Sequence, residues 1–299
     1  MKCKGIFFTV FYLWGTASIL AQPNILNAVT PSEIGQKTIE QMEQDNALEP
    51  LPYGYTDDRD ILWAKTTWEF IDVKQKVNFP LLYPLDTGAL GAERKSLFHV
   101  LVDNAKKGKI KHLYADSYFN RELSFQELDA TLRRVDTLDA GYEQLNAGLE
   151  LDPQFIDYTD IDGSDLQGFR IRGYWYFDSR QGDLRYRLIG LAPVVIDAYS
   201  KSQGIEDAEP VELFWVFYPE VRDLLFHQQV FNPNNSAHPF NFDEILNARR
   251  FSAVVYKVDN EVGDRAVQDY IGDNSLLQLL ESERLKNEIR EFEMNMWNY

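Results

Sequence analysis

Arg170, Arg172, Arg185 and Arg187 are the residues whose type and spacing most suggest recognition chemistry. Within each pair one residue intervenes, so on a strand both guanidinium groups point to one side. A guanidinium is a planar fork of donors that matches a carboxylate and stacks on aromatic rings. The chain carries 30 Lys and Arg against 47 Asp and Glu, a formal net charge of −17. An arginine-rich face would be locally distinct in such a chain. Two readings stay open. Either the stems cover apolar surface while the heads pair with the chain's own acids, or the face meets an acidic patch on a neighbouring subunit.

Catalytic and metal-binding patterns are sparse. The chain holds no G-x-S-x-G, Walker A or G-x-G-x-x-G sequence. His99, His112, His227 and His238 include no pair at HxH, HxxxH or HExxH spacing, so no zinc signature forms. The run Asp160-Ile161-Asp162-Gly163-Ser164-Asp165 offers carboxylates for Ca²⁺. With Gly163 at the sixth position of an EF-hand loop, however, Tyr158 and Phe169 fall where oxygen ligands are required. An acidic turn is the better reading. Asp57-Asp58-Arg59-Asp60 precedes an apolar run, where Asp commonly caps a terminus. Lys106, Lys107, Lys109 and Lys111 follow a helix-like stretch and complement its C-terminal dipole. Serine–histidine triads and paired acids are spatial arrangements that spacing alone does not mark. No catalytic residue, cofactor-binding residue or metal ligand is assigned.

The elements that must position the arginines are legible. Arg170 to Phe177 alternates Ile171, Gly173, Trp175 and Phe177 against Arg170, Arg172, Tyr174 and Tyr176. After a turn at Asp178–Asp183, Leu184 to Leu191 alternates again, which predicts a β-hairpin. Further strands are expected over Lys109–Tyr114, Pro193–Ile196, Val211–Tyr218 and Phe251–Lys257. Ser96 caps an expected helix ending at Gly108, and Ser124–Glu127 is a capping box for a helix with Leu128, Leu132 and Val135 on one face. Pro219 can open a helix, Asn241–Arg250 reads as another, and Asn78-Phe79-Pro80 and Tyr83-Pro84 read as extended or turn backbone. A long final helix begins near Ser275, which can cap it. Leu285, Ile289, Phe292 and Met296 form its apolar stripe, and the chain ends in Trp297 and Tyr299. The Ser96–Tyr114 and Phe240–Tyr256 stretches echo one another, so an internal duplication is a possible origin.

The N-terminus reads as a secretory signal. Lys2 and Lys4 precede the apolar run Ile6–Trp14, and cleavage is expected between Ala21 and Gln22. A bilayer span needs about 20 apolar residues, more than this run supplies. Cys3, the single cysteine, lies before the run, which excludes it as the lipidated cysteine of a lipoprotein and leaves no internal disulfide. The expected division is a signal peptide (1–21), a flexible arm (22–54) with a short helix at Thr30-Pro31-Ser32-Glu33, an α+β core (55–272) and a C-terminal helix (273–299). The acidic balance opposes nucleic acid and anionic lipid surfaces, because the long-range field repels phosphate.

Several blocks together carry a resemblance. They are Tyr55-Thr56-Asp57-Asp58-Arg59-Asp60-Ile61-Leu62-Trp63, then Trp68, Ile71-Asp72 and Asn78-Phe79-Pro80-Leu81-Leu82-Tyr83-Pro84, then Arg94-Lys95-Ser96-Leu97-Phe98, Tyr114-Ala115-Asp116, and Gly173-Tyr174-Trp175-Tyr176-Phe177-Asp178. In this order, from about residue 55 to 260, the chain resembles the gliding-motility GldN (PorN) family of the Bacteroidetes. The resemblance implies a periplasmic component of the type IX secretion system. It further implies association with an outer-membrane lipoprotein, GldK (PorK), in a ring, and contact with the inner-membrane-anchored GldM (PorM). The family supplies no catalytic motif to carry over.

The expected fold is α+β, with a mainly antiparallel sheet around the central hairpin and helices packed on it. The expected function is that of a non-enzymatic scaffold, peripheral to the outer membrane, without cofactor or membrane span. The competing class is a periplasmic hydrolase or glycan-binding protein that uses its tyrosines and tryptophans as stacking platforms.

Overall fold

Two 13-residue strands, β4 (Leu166–Asp178) and β5 (Asp183–Val195), form the expected hairpin at the centre of the computed structural model. They pair from Asp178 opposite Asp183 to Leu166 opposite Val195, with register shifts at Arg172/Gly173 and Leu166/Gly168. The structure describes residues 48–85, 94–148, 150, 152–205, 208–232, 240–261 and 263–296. The signal peptide, its cleavage point at Ala21 and Gln22, the Thr30–Glu33 helix, His238 and the terminal Trp297 and Tyr299 lie outside the described residues.

The sheet runs β10 (Val254–Val258), β1 (Ile61–Asp72), β4, β5, β6 (Val211–Glu212), with β7 (Val216–Phe217) also on β5. Every pairing in it is antiparallel, as is that of the separate short pair β8 (Gln229–Val230) and β9 (Phe240–Asn241). Opposite faces of β4 carry different chemistry, as the alternation predicts. Phe169 and Ile171, with Ile71 of β1 and Leu188 and Leu191 of β5, face a helical layer. That layer supplies Leu97, Phe98 and Leu101 from α2 (Leu97–Lys106), Tyr218, Val221 and Leu225 from α6 (Tyr218–Phe226), and Phe242 and Leu246 from α7 (Phe242–Asn247). The other side holds a smaller layer of Trp68, Ala192 and Trp215. The architecture is α+β, as expected.

The last helix, α9 (Ser275–Met296), guards a sheet edge. It packs Leu285 against Val255, Val258 and Val267, the last from α8 (Val267–Ile271). Ser282 is fully buried, and its Oγ accepts a hydrogen bond of 2.8 Å from the backbone N–H of Val255. β10 is an edge strand, so this bond covers a donor that would otherwise invite another strand.

Residues 133–160 leave the main sheet. α3 (Phe125–Leu132) leads into β2 (Arg133–Thr137), then α4 (Asp139–Asn146) and β3 (Ile156–Asp160). β2 and β3 form their own two-stranded ribbon, with Val135 opposite Tyr158. The inner side of the ribbon meets α5 (Ala198–Ser202), where Arg134 lies 4.5 Å over the Tyr199 ring.

Several local expectations are corrected. The α3 helix stops at Leu132, and Val135 belongs to a strand, because pairing with β3 outweighs the continuing stripe. Lys109–Tyr114 is not a strand; Tyr114 makes single bridges to Glu122 and Trp215. The two halves of the sequence echo therefore end differently, one in isolated bridges and the other in edge strand β10. Val211–Tyr218 breaks between β6 and β7, where Leu213, Phe214 and Trp215 are all buried and strict alternation fails. Phe79–Leu82 is a helical turn, α1, with Pro80 in its first positions. Asn274, not Ser275, caps α9, through a 3.1 Å bond from the Leu277 N–H.

Part of the expected arm is docked. The Leu51 carbonyl accepts from Arg222 at 2.8 Å, Tyr53 donates to Asn247 at 3.0 Å, and Arg187 donates to the Gly54 carbonyl at 3.2 Å.

Candidate functional site

The four arginines share one side of the sheet. Arg170 and Arg172 lie in line with Tyr174 and Tyr176 on one face of β4, and Arg187 and Arg185 stand opposite those tyrosines on β5. The register shifts between Arg172 and Gly173, which leaves Ile189 as an extra residue on β5 and divides the arginines into two groups.

Arg170 and Arg172 are each held by rings and hydrogen-bonding groups, although the Arg170 side chain remains 37% exposed. Arg172 lies 5.2 Å over the Trp68 ring and 5.1 Å over the Tyr118 ring. Its terminal nitrogen donates to the Ser117 carbonyl at 2.8 Å, and Trp68 donates its indole N–H to the Ser117 hydroxyl at 3.0 Å. Arg170 pairs with Glu212 and sits 5.0 Å over Tyr256. Glu212 also accepts from the buried Trp215 indole at 2.5 Å. Gly190 makes this layer possible, since a Cβ there would come within 2.8 Å of the Phe119 ring.

A third cation completes the layer. Lys257 of β10 lies 4.4 Å over Trp68 and donates to the Tyr118 hydroxyl at 2.8 Å. Tyr118 in turn donates to Asp264 at 2.6 Å. Burial, reinforced by the bond to Asp264, pushes the Tyr118 phenol up to about 12. The same bond holds the Asp264 carboxyl below its ordinary range. Burial lowers the Lys257 ammonium. Each charge is thus met by a ring or a counter-ion, and the layer acts as a rigid cation–aromatic clamp.

Arg185 and Arg187 lie nearer the hairpin turn. Arg187 is held by Gly54 and stacks 4.6 Å over Tyr53. Arg185 bonds to Gln181 in the hairpin turn and reaches only a distant Asp183, at 3.9 Å. Its side chain is one-third exposed. Of the four, Arg185 has the least committed head.

Two buried ion pairs escaped the sequence reading. Glu69 is 1% exposed and forms a two-point bond with Arg249, at 3.1 and 2.7 Å. Arg249 is ringed by Tyr186, Trp175 and Phe251 at 4.2, 5.0 and 5.1 Å. Arg222 makes a similar pair with Asp243, at 2.9 and 3.0 Å, joined by Tyr218 at 2.8 Å. The partners are 180 and 21 residues apart, so no local spacing could announce them. Both pairs are saturated and locate elements rather than reacting groups. A groove of about 250 Å³ beside Arg249 and Trp175 is smaller than the roughly 300–1,000 Å³ of ordinary ligand sites.

The acidic motifs are also committed. Asp162 caps the turn at Gly163–Asp165, Arg133 binds Asp160 at 2.6 and 2.8 Å, and Lys201 binds Asp165 at 2.6 Å. Asp57 caps the turn at Asp58–Asp60. His99 meets Ser96 at 2.7 Å and His112 meets Glu122 at 3.0 Å. Among the described residues no three acidic, histidine or cysteine side chains converge to hold a metal ion. No helix among them is long and apolar enough to cross a membrane.

Comparison with curated proteins gives no match. A family described as gliding motility associated protein GldN matches residues 56–298. That span takes in the whole sheet, the cation–aromatic layer and the edge-guarding α9. The chain belongs to the GldN family of gliding-motility components.

Proposed function

We propose that the protein is a non-enzymatic structural subunit of the type IX secretion and gliding-motility machinery. It works in the periplasm after export, held at the outer membrane through a GldK-like (PorK-like) lipoprotein, with which it builds a ring. It also contacts a GldM-like (PorM-like) protein anchored in the inner membrane. The family match over residues 56–298 carries this reading. The commitment of the charged clusters to ion pairs and rings supports it, because such clusters stiffen a scaffold rather than activate a nucleophile. A ring requires one face of a subunit to meet a different face of the next. The hairpin-turn end around Arg185 is the face proposed for an acidic neighbour.

The test is reconstitution. The purified chain, mixed with the lipoprotein of the same organism, should elute as a large co-complex in size-exclusion chromatography, with ring-shaped particles in electron micrographs. Independent elution, together with turnover of a glycan or ester substrate, would replace this reading with the periplasmic hydrolase or glycan-binding alternative.

A further inference from the structure

The β2–α4–β3 excursion carries apolar side chains that remain about half exposed among the described residues. On α4 and its cap, Leu138, Tyr142 and Leu145 follow one another at spacings of four and three, which places them on one helical face. They are 49%, 55% and 47% exposed. On the ribbon, the directly opposed Val135 and Tyr158 are each 54% exposed. A two-stranded ribbon with an eight-residue helix buries too little to be stable alone. Exposed apolar groups gathered on such an element mark a contact surface.

The charge around this surface selects its occupant. Arg133 and Arg134 are bonded to Asp160 and Asp136. Asp139, Glu143, Glu150 and Asp157 have no basic partner among the described residues. The surface is therefore an apolar stripe within an uncompensated negative field. A second copy would bring the same negative charge, and an anionic bilayer would be repelled.

We infer that the β2–α4–β3 excursion is a docking arm for a basic amphipathic helix of a partner protein. The partner's apolar residues seat on Leu138, Tyr142 and Leu145, and its Lys or Arg side chains face Asp139 and Glu143. This goes beyond the assembly reading above, because it assigns a second surface and the chemistry of what binds there. It does not depend on the ring or on Arg185.

The test uses the purified full-length chain and a fluorescent peptide with leucine and lysine at helical spacing. A peptide of the same composition in scrambled order is the control for charge alone. The helical peptide should bind at least tenfold more tightly than the scrambled one. The triple variant Leu138→Ser/Tyr142→Ser/Leu145→Ser should lose at least tenfold. Its circular dichroism and melting temperature should be unchanged, since these side chains are exposed. The variant Asp139→Asn/Glu143→Gln should weaken binding and flatten its salt dependence. Equal binding of both peptides, or undiminished binding by the triple variant, would overturn the proposal. So would a dimer in sedimentation, or flotation with anionic vesicles, that the triple variant abolishes. If the triple variant melts early, the charge variant alone decides: undiminished peptide binding by it would overturn the proposal.

Discussion

Trp63, near the start of β1, and Phe292, near the end of α9, stack face to face with ring centroids 4.6 Å apart and planes 16° from parallel. Phe177 of β4 meets the same ring edge-on at 6.0 Å. Lys65, two residues along β1, binds Glu288, one turn back on α9, at 2.6 Å. With Ser282 on the edge of β10, these contacts make α9 a strap across three strands. Replacing Phe292 with Ala should cost about 1–2 kcal/mol, because the ring is only partly buried and loses stacking as well as area. Ser282→Ala should cost about 1–3 kcal/mol by leaving the buried Val255 N–H unpaired. Urea unfolding followed by tryptophan fluorescence would measure both, and unchanged midpoints would show that the strap adds no stability.

The strap should loosen in acid. The bond from Lys65 holds the Glu288 carboxyl below its ordinary range, helped by Arg284. A carboxyl lowered on folding contributes stability that is present above its unfolded value of about 4.3. That stability is lost as pH falls through the folded value. Glu288 is nearly half exposed, so the pair contributes at most about 1 kcal/mol. Protection of α9 amides, taken relative to their intrinsic exchange rates at each pH, should fall below about pH 4 in the natural chain and change less over that range in Glu288→Gln. Parallel pH profiles for the two would refute the assignment.

The buried Glu69–Arg249 pair should behave as a unit. Arg249→Met strands a carboxylate that is 1% exposed and should destabilise by about 3–5 kcal/mol. Adding Glu69→Gln removes the stranded charge and should recover part of that loss. A double variant as unstable as the sum of the two single ones would mean that the groups do not interact.

What the sequence revealed follows from how local each signal is. The β4–β5 hairpin was legible because Ile171 and Arg172 alternate between an apolar and a polar environment. The helix at Ser96 was legible because its cap lies within one turn, where Ser96 accepts from the His99 N–H. The α3 boundary was not, since Leu128, Leu132 and Val135 keep helical spacing, and what favours the strand is pairing with β3, whose Asp160 lies 27 residues beyond Arg133. The arginine face was half legible. Spacing placed Arg170 and Arg172 on one side, but the rings that enclose Arg172 come from Trp68 and Tyr118, on distant segments. Neither open reading of those arginines anticipated stacking within the chain as the main use of Arg172.

That division bears on assembly. If the hairpin-turn end of the arginine face meets an acidic neighbour, Arg185 is the residue to change, since its head is bound only to Gln181 and a distant Asp183. Arg185→Glu should leave the fold intact and weaken co-complex formation with the lipoprotein by at least tenfold, about 1.4 kcal/mol or more. Arg187→Glu should do something different. It breaks the bond to Gly54 and the stack on Tyr53, so it frees the chain around residues 51–54 before it alters any partner contact. Limited proteolysis separates the two. Cleavage near residue 54 should rise in Arg187→Glu and stay unchanged in Arg185→Glu, while size exclusion reports assembly for both. Full assembly by Arg185→Glu would remove this end of the face from the interface and leave its arginines a purely internal role.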